Sequence, residues 1–190
     1  MIDNKLTWKT QIQHIKTKVA RGIGMISKIR HFLDDSCLKK MYHSFVQSHI
    51  SYNILNWTCT HHSFLKPIET KMKKAIRLIS FAKTKVDHTA PLFKKHDILP
   101  FRDLVNLKKA SFMWQITRGY TPSVFNTFFS KNLHNPLRFV LPWVKNGSDK
   151  LLLGYSCIKS WNLFSDSIKN SSTFDTFKSK AKNISWAPTR

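Results

Sequence analysis

The 190-residue chain carries 32 Lys and Arg against 10 Asp and Glu, a net charge of +22 and a pI near 10.2. Hydrophobic residues make up 42% and aromatics 13%, enough to bury a core, which excludes a disordered basic tail. So one-signed a charge makes a polyanion the default partner, nucleic acid first and an anionic membrane surface second.

The first periodic segment runs from Trp8 to Leu33. Trp8, Ile12, Ile15, Val19, Ile23, Ile26, Ile29 and Leu33 recur at steps of three and four, one stripe of a helix, with Arg21 and Lys28 on the opposite side. Gly22 and Gly24 inside it each cost a helix roughly 1 kcal/mol relative to Ala, so they mark a close helix contact or a bend. Asp34-Asp35-Ser36 reads as the N-cap of a second helix, which carries Leu38, Met41, Tyr42, Phe45, Val46, His49 and Ile50 on one face and fades between Ser51 and Trp57. A third helix is predicted from Pro67, with Ile68, Met72, Ala75, Ile76 and Ile79 as its apolar face. Lys66, Lys73, Lys74 and Arg77 fall together on its other side, the cleanest basic stripe in the chain.

A loop is predicted over 83–96, then a helix from Phe101 to Arg118 stopped by Gly119. Thr121-Pro122 opens a short helix bearing Val124, Phe125, Phe128 and Phe129. Residues 138–144 (RFVLPWV) are strand-like, Asn146-Gly147 is a turn signal, and 151–155 returns as a second strand. Short helices follow over 161–168 and 173–182. The predicted architecture is mainly α: a helical domain over 1–130 and a C-terminal appendage, a β-hairpin plus short helices, over 131–190.

Catalytic and metal patterns are sparse. Phe32-Leu33-Asp34-Asp35 matches the F-x-D-D of polymerase palms, where paired Asp residues hold two metal ions. Its flanks are helical and no strand-borne carboxylate precedes it, so capping is the favoured role and a nuclease at this pair the disfavoured one. The chain has a single Glu, Glu69, and nine Asp, few carboxylates for acid–base work. Cys59, His61 and His62 form one loose group without the second ligand pair of a structural zinc site. The three cysteines, Cys37, Cys59 and Cys157, are too scattered for a disulfide scaffold and fit a reducing compartment. No G-x-S-x-G and no Gly-rich phosphate loop is present. The longest stretch free of acidic residues, Lys and Arg, Met41 to Leu65, holds several His and Asn and is not a membrane span. The start has no secretory pattern; its basic amphipathic character is shared with transit peptides.

The basic helix faces remain. They lack acidic i,i+4 partners and no base-reading motif accompanies them, so binding is expected through phosphates rather than base edges. The predicted contacts are Lys66, Lys73, Lys74 and Arg77, then Arg21 and Lys28.

Ile2-Asp3-x-x-Leu6-Thr7-Trp8, His14-Ile15, Arg21-x-Ile23-Gly24 and Lys28-Ile29-Arg30 come in an order that continues through Leu38-x-x-Met41-Tyr42-x-Ser44-Phe45, His49-Ile50-Ser51-Tyr52 and Lys73-Lys74-Ala75-Ile76-Arg77-x-Ile79. His88-Thr89-x-Pro91-Leu92-Phe93, Gly119-x-x-Pro122 and Trp161-Asn162 follow. The series resembles the region after the palm in LINE-type non-LTR retrotransposon reverse transcriptases. Trp161-Asn162-Leu163-Phe164-Ser165 lacks the Pro of that family's W-N-x-L-P, and Lys71-Met72 stands where a Gln is usual before Lys-Lys-Ala.

The resemblance implies a thumb-like helical bundle that grips a template–primer duplex, RNA–DNA or DNA, as part of an RNA-directed DNA polymerase. The metal-binding palm would lie upstream of Met1, so the chain is expected to be non-catalytic by itself, without cofactor, with a reverse-transcriptase palm as a further partner. An intracellular location, nuclear or cytoplasmic, is expected. Two alternatives stand beside it: a retroelement remnant without function, and a basic peripheral membrane-binding protein.

Overall fold

A computed structural model of the chain describes residues 7–82, 88–144 and 152–184. The architecture is mainly α, as predicted. Two compact units divide it, Met1–Phe101 and Arg102–Arg190.

The first unit is built on three helical passes. Helix α1 (Lys9–Ile29) buries Ile12, Ile15, Val19, Ile23 and Ile26, the stripe its periodicity defines. A 3-10 turn, Arg30–Phe32, ends the pass. Asp34 then caps α2 (Asp35–Tyr42): its carboxylate accepts from the Cys37 backbone N–H at 3.1 Å. Hydrogen bonding from the Cys37 thiol, and then from this backbone N–H, holds the Asp34 carboxyl below the ordinary Asp value. The second pass widens into a π-turn over His43–Gln47, closed by Ser48 N–H on His43 O, and continues as α3 (Ser48–Ser51) and a short α4 (Ile54–Trp57). The wide turn sets the Phe45 carbonyl against Gly22, where a Cβ would overlap its oxygen. Gly22 is therefore the close contact its position in α1 predicts, whereas a Cβ on Gly24 meets nothing within 4 Å.

Helix α5 (His62–Ile79) starts before Pro67, not at it. Pro67 forgoes one intrahelical hydrogen bond. The extra turn instead buries Leu65 and brings Phe64 under the Lys9 ammonium, 4.9 Å from the ring centroid. Lys9 meets Phe64 near the start of each helix and Arg30 donates to Leu78 O at 3.3 Å near their ends, so α1 and α5 run parallel. Residues 83–87 of the predicted loop lie outside the described residues; the rest of it holds α6 (Thr89–Lys95). Pro91 sits in the first turn of α6, where a missing N–H costs nothing.

The second unit is aromatic. Helix α7 (Phe101–Thr117) ends on a Schellman pair, Tyr120 N–H to Gln115 O at 2.9 Å and Gly119 N–H to Ile116 O at 3.1 Å, with Gly119 at φ 73°. On one side of α7, Trp114 stacks with Tyr120 and Phe177 and tilts against Phe174. On another, Phe112 meets Phe125 of α8 (Val124–Phe128) and Phe129 edge-on. These contacts tie 120–139 to α7, which is why the compact units divide at 101/102 while the sequence pattern places the change at 130/131.

The expected β-hairpin is not seen among the described residues. Among the described residues there is no strand, only an isolated antiparallel bridge between Lys131 and Phe139. Leu153, Gly154 and Tyr155 open helix α9 (Leu153–Asn162), and the Asn146-Gly147 turn lies outside the described residues. The stretch 137–139 is held by α9 instead. Trp161 Nε1–H donates to Leu137 O at 2.9 Å; the Asn162 amide accepts from Phe139 N–H at 3.2 Å and donates to Phe139 O at 2.8 Å. One side chain thus supplies the pairing a neighbouring strand would give. Helix α10 (Asp166–Lys169) and helix α11 (Phe174–Lys182), with its Thr173 capping box, complete the unit around Trp161, Phe164 and Phe177.

Candidate nucleic-acid interface

The parallel pairing of α1 and α5 leaves a furrow on the solvent side of their seam. It comprises two adjoining hollows. One, of about 210 Å³, is lined by Ala20, Ile23, Gly24, Ser27, Lys71, Lys74 and Leu78. The other, of about 350 Å³, is lined by Gln13, Lys16, Thr17, Ala20, Arg21 and Lys71. Both hollows include Ala20 and Lys71.

Four cations therefore stand around one furrow: Lys16 and Arg21 from α1, Lys71 and Lys74 from α5. Among the described residues no carboxylate pairs with any of them. Like charges around one hollow repel, so an anion in the furrow relieves repulsion as well as making contacts.

The predicted stripe on α5 divides. Lys74 lines the furrow. Contrary to the expectation that these faces lack acidic i,i+4 partners, Lys73 is bound to Glu69, four residues before it, at 2.7 Å, and His62 reaches the other oxygen of the same carboxylate at 3.7 Å. Lys66 is exposed and Arg77 half-buried, and neither lines the furrow. On α1, Arg21 lines it; Lys28 is exposed two turns further along the same helix. Lys16 and Lys71 are the residues that sequence reasoning missed. Each was judged on its own helix, whereas the furrow belongs to two. Their signal was present in the small residues at a four-residue step, Ala20 and Gly24, which leave the seam open between them.

The other sequence candidates resolve into structural roles. Asp34 is the α2 cap. The Cys59 thiol donates to Leu55 O at 3.1 Å, and no group of three or more metal-ligating side chains occurs among the described residues. No helix among them is long and apolar enough to cross a membrane.

Comparison with protein-family models, with curated proteins and with solved structures returns no match.

Proposed function

We propose that the chain binds nucleic acid through the sugar–phosphate backbone, as a non-catalytic, thumb-like part of an RNA-directed DNA polymerase. The observation that carries the binding reading is the furrow: four cations from two helices, none neutralised by a described carboxylate, in a chain of net charge +22. The order of motifs shared with LINE-type reverse transcriptases supports a template–primer duplex as the ligand. Backbone contact alone carries no base information, so affinity is set by charge and shape.

The test is anisotropy of labelled RNA–DNA and DNA duplexes across a salt series. Each phosphate neutralised adds roughly 0.9 to the magnitude of the log–log slope, so two or more contacts give a slope of about −1.8 or steeper. Changing Lys71 and Lys74 to Ala lowers its magnitude by about 0.9 to 1.8 on the same scale. A flat salt series overturns the reading.

A further inference from the structure

We propose that the two hollows of the α1–α5 furrow seat two phosphates of the same strand, with Lys71 shared between them and Gly24 as the point of closest approach. The assignment rests on the backbone-binding reading and gives it a register.

The geometry is that of a divided trough. On α1 the first hollow is centred near Ile23–Gly24 and the second near Thr17. Six residues of helix separate them, about 9 Å at a 1.5 Å rise. With α1 laid along the duplex axis, that is the axial advance of two to three nucleotides at about 3.4 Å each. Lys71 alone among the cations lines both hollows; Lys74 serves the first, Lys16 and Arg21 the second. Each seat therefore has at least two positive charges, and the middle one bridges them.

The floor admits a backbone closely. A Cβ on Gly24 would meet no atom within 4 Å, so the space over it is open and belongs to no other part of the described protein. Ser27 lines the first hollow and Gln13 the second, so neutral hydrogen-bonding side chains accompany the charges. The Thr17 hydroxyl is turned away from this task, donating to Gln13 O at 3.0 Å.

Gly24→Leu in the full chain tests this without removing a charge. Leu is a better helix former than Gly, and the open space accepts it, so the thermal melt should fall no lower than that of the parent. Its side chain fills the first hollow. Duplex affinity at low salt should drop by about tenfold, and the salt slope should lose about 0.9 to 1.8, one phosphate or both. Lys66→Ala, outside the furrow, should change affinity by less than about twofold. If the parent binds with a steep salt slope and Gly24→Leu binds as well, the two-phosphate seat is overturned and backbone binding stands. If the parent shows no salt-dependent duplex binding, or anionic vesicles displace the duplex from it, both fall. Should Gly24→Leu not fold, Lys71→Gln decides. Its slope loss must exceed that of Lys66→Gln, and equal losses overturn the shared position.

Discussion

Two sets of cations, one in each unit, are used in opposite ways. In the first, Lys16, Arg21, Lys71 and Lys74 surround an open furrow and have no described carboxylate partner. In the second, Lys169 and Arg118 are built into the packing, while Lys108, Lys159 and Lys178 stay exposed. Lys169 is 2% exposed, 3.5 Å from Asp166 and 5.9 Å from the Trp161 ring centroid. Arg118 lies over Trp114 and donates to Ser171 O at 3.0 Å. A chain-wide charge thus says little about where a polyanion is held. What separates the two sets is whether protein already occupies the space in front of the charge.

The cores differ in parallel. The first is largely aliphatic, with isoleucine on every pass and close backbone approach at Gly22. The second is a cluster of Trp and Phe around which irregular chain is fastened by side-chain hydrogen bonds. Gly22→Ala should therefore produce the largest effect, because the new Cβ meets a carbonyl of the backbone and not a movable side chain. A loss of about 2–3 kcal/mol is expected, the upper part of the overpacking range, read as a lower urea midpoint and faster amide exchange in α1 and α2. An unchanged midpoint would mean that the passes slide freely and that the first unit is not closely packed.

Asn162→Ala strikes the second unit at its fastening. It removes both hydrogen bonds to Phe139, a residue 3% exposed, and leaves a backbone N–H and C=O without their partner. About 1–2 kcal/mol is expected, with exchange protection lost over 137–140 and kept in α1. Equal loss of protection in both units would break the comparison.

The same contrast governs what the sequence made legible. Helix α1, the Asp34 cap, α7 and the Gly119 stop followed from periodicity and end signals, because each is decided within a few residues of chain. The strand-like 138–144 did not. β-propensity measures fit to a half-buried pleated surface, and here α9 supplies the pairing through Asn162, which no local pattern announces. Helix α7 packs aromatic rings on more than one side, Trp114 against Phe177 and Phe112 against Phe129. For the furrow, Arg21 and Lys74 were found on their own helices. Lys16 and Lys71 were not, since their role depends on α1 and α5 lying parallel, a fact of tertiary structure.

The smallest expected effects are those of pH, and they separate the units by direction of approach. In the first unit, burial and then Lys95 hold the His96 imidazole below 6.5, with Asp35 opposing and Lys39 adding a little. The unfolded chain takes up a proton there before the folded one does, so the His96 contribution is whole above pH 6.5 and is lost as pH falls through the depressed value. In the second unit, burial pulls the Lys169 ammonium below 10.5, only partly countered by Asp166. The unfolded chain again holds the proton longer, so stability rises as pH climbs toward 10.5 and falls back below the folded value. Urea midpoints across pH should show an acid limb that flattens in His96→Leu and an alkaline rise that flattens in Lys169→Met. Because a buried charge without full hydrogen bonding is costly, Lys169→Met should also match or exceed the parent in stability at neutral pH. A marked loss there would mean that the Asp166 pair outweighs desolvation, and that the second unit, like the furrow in its bound state, gains from its charge.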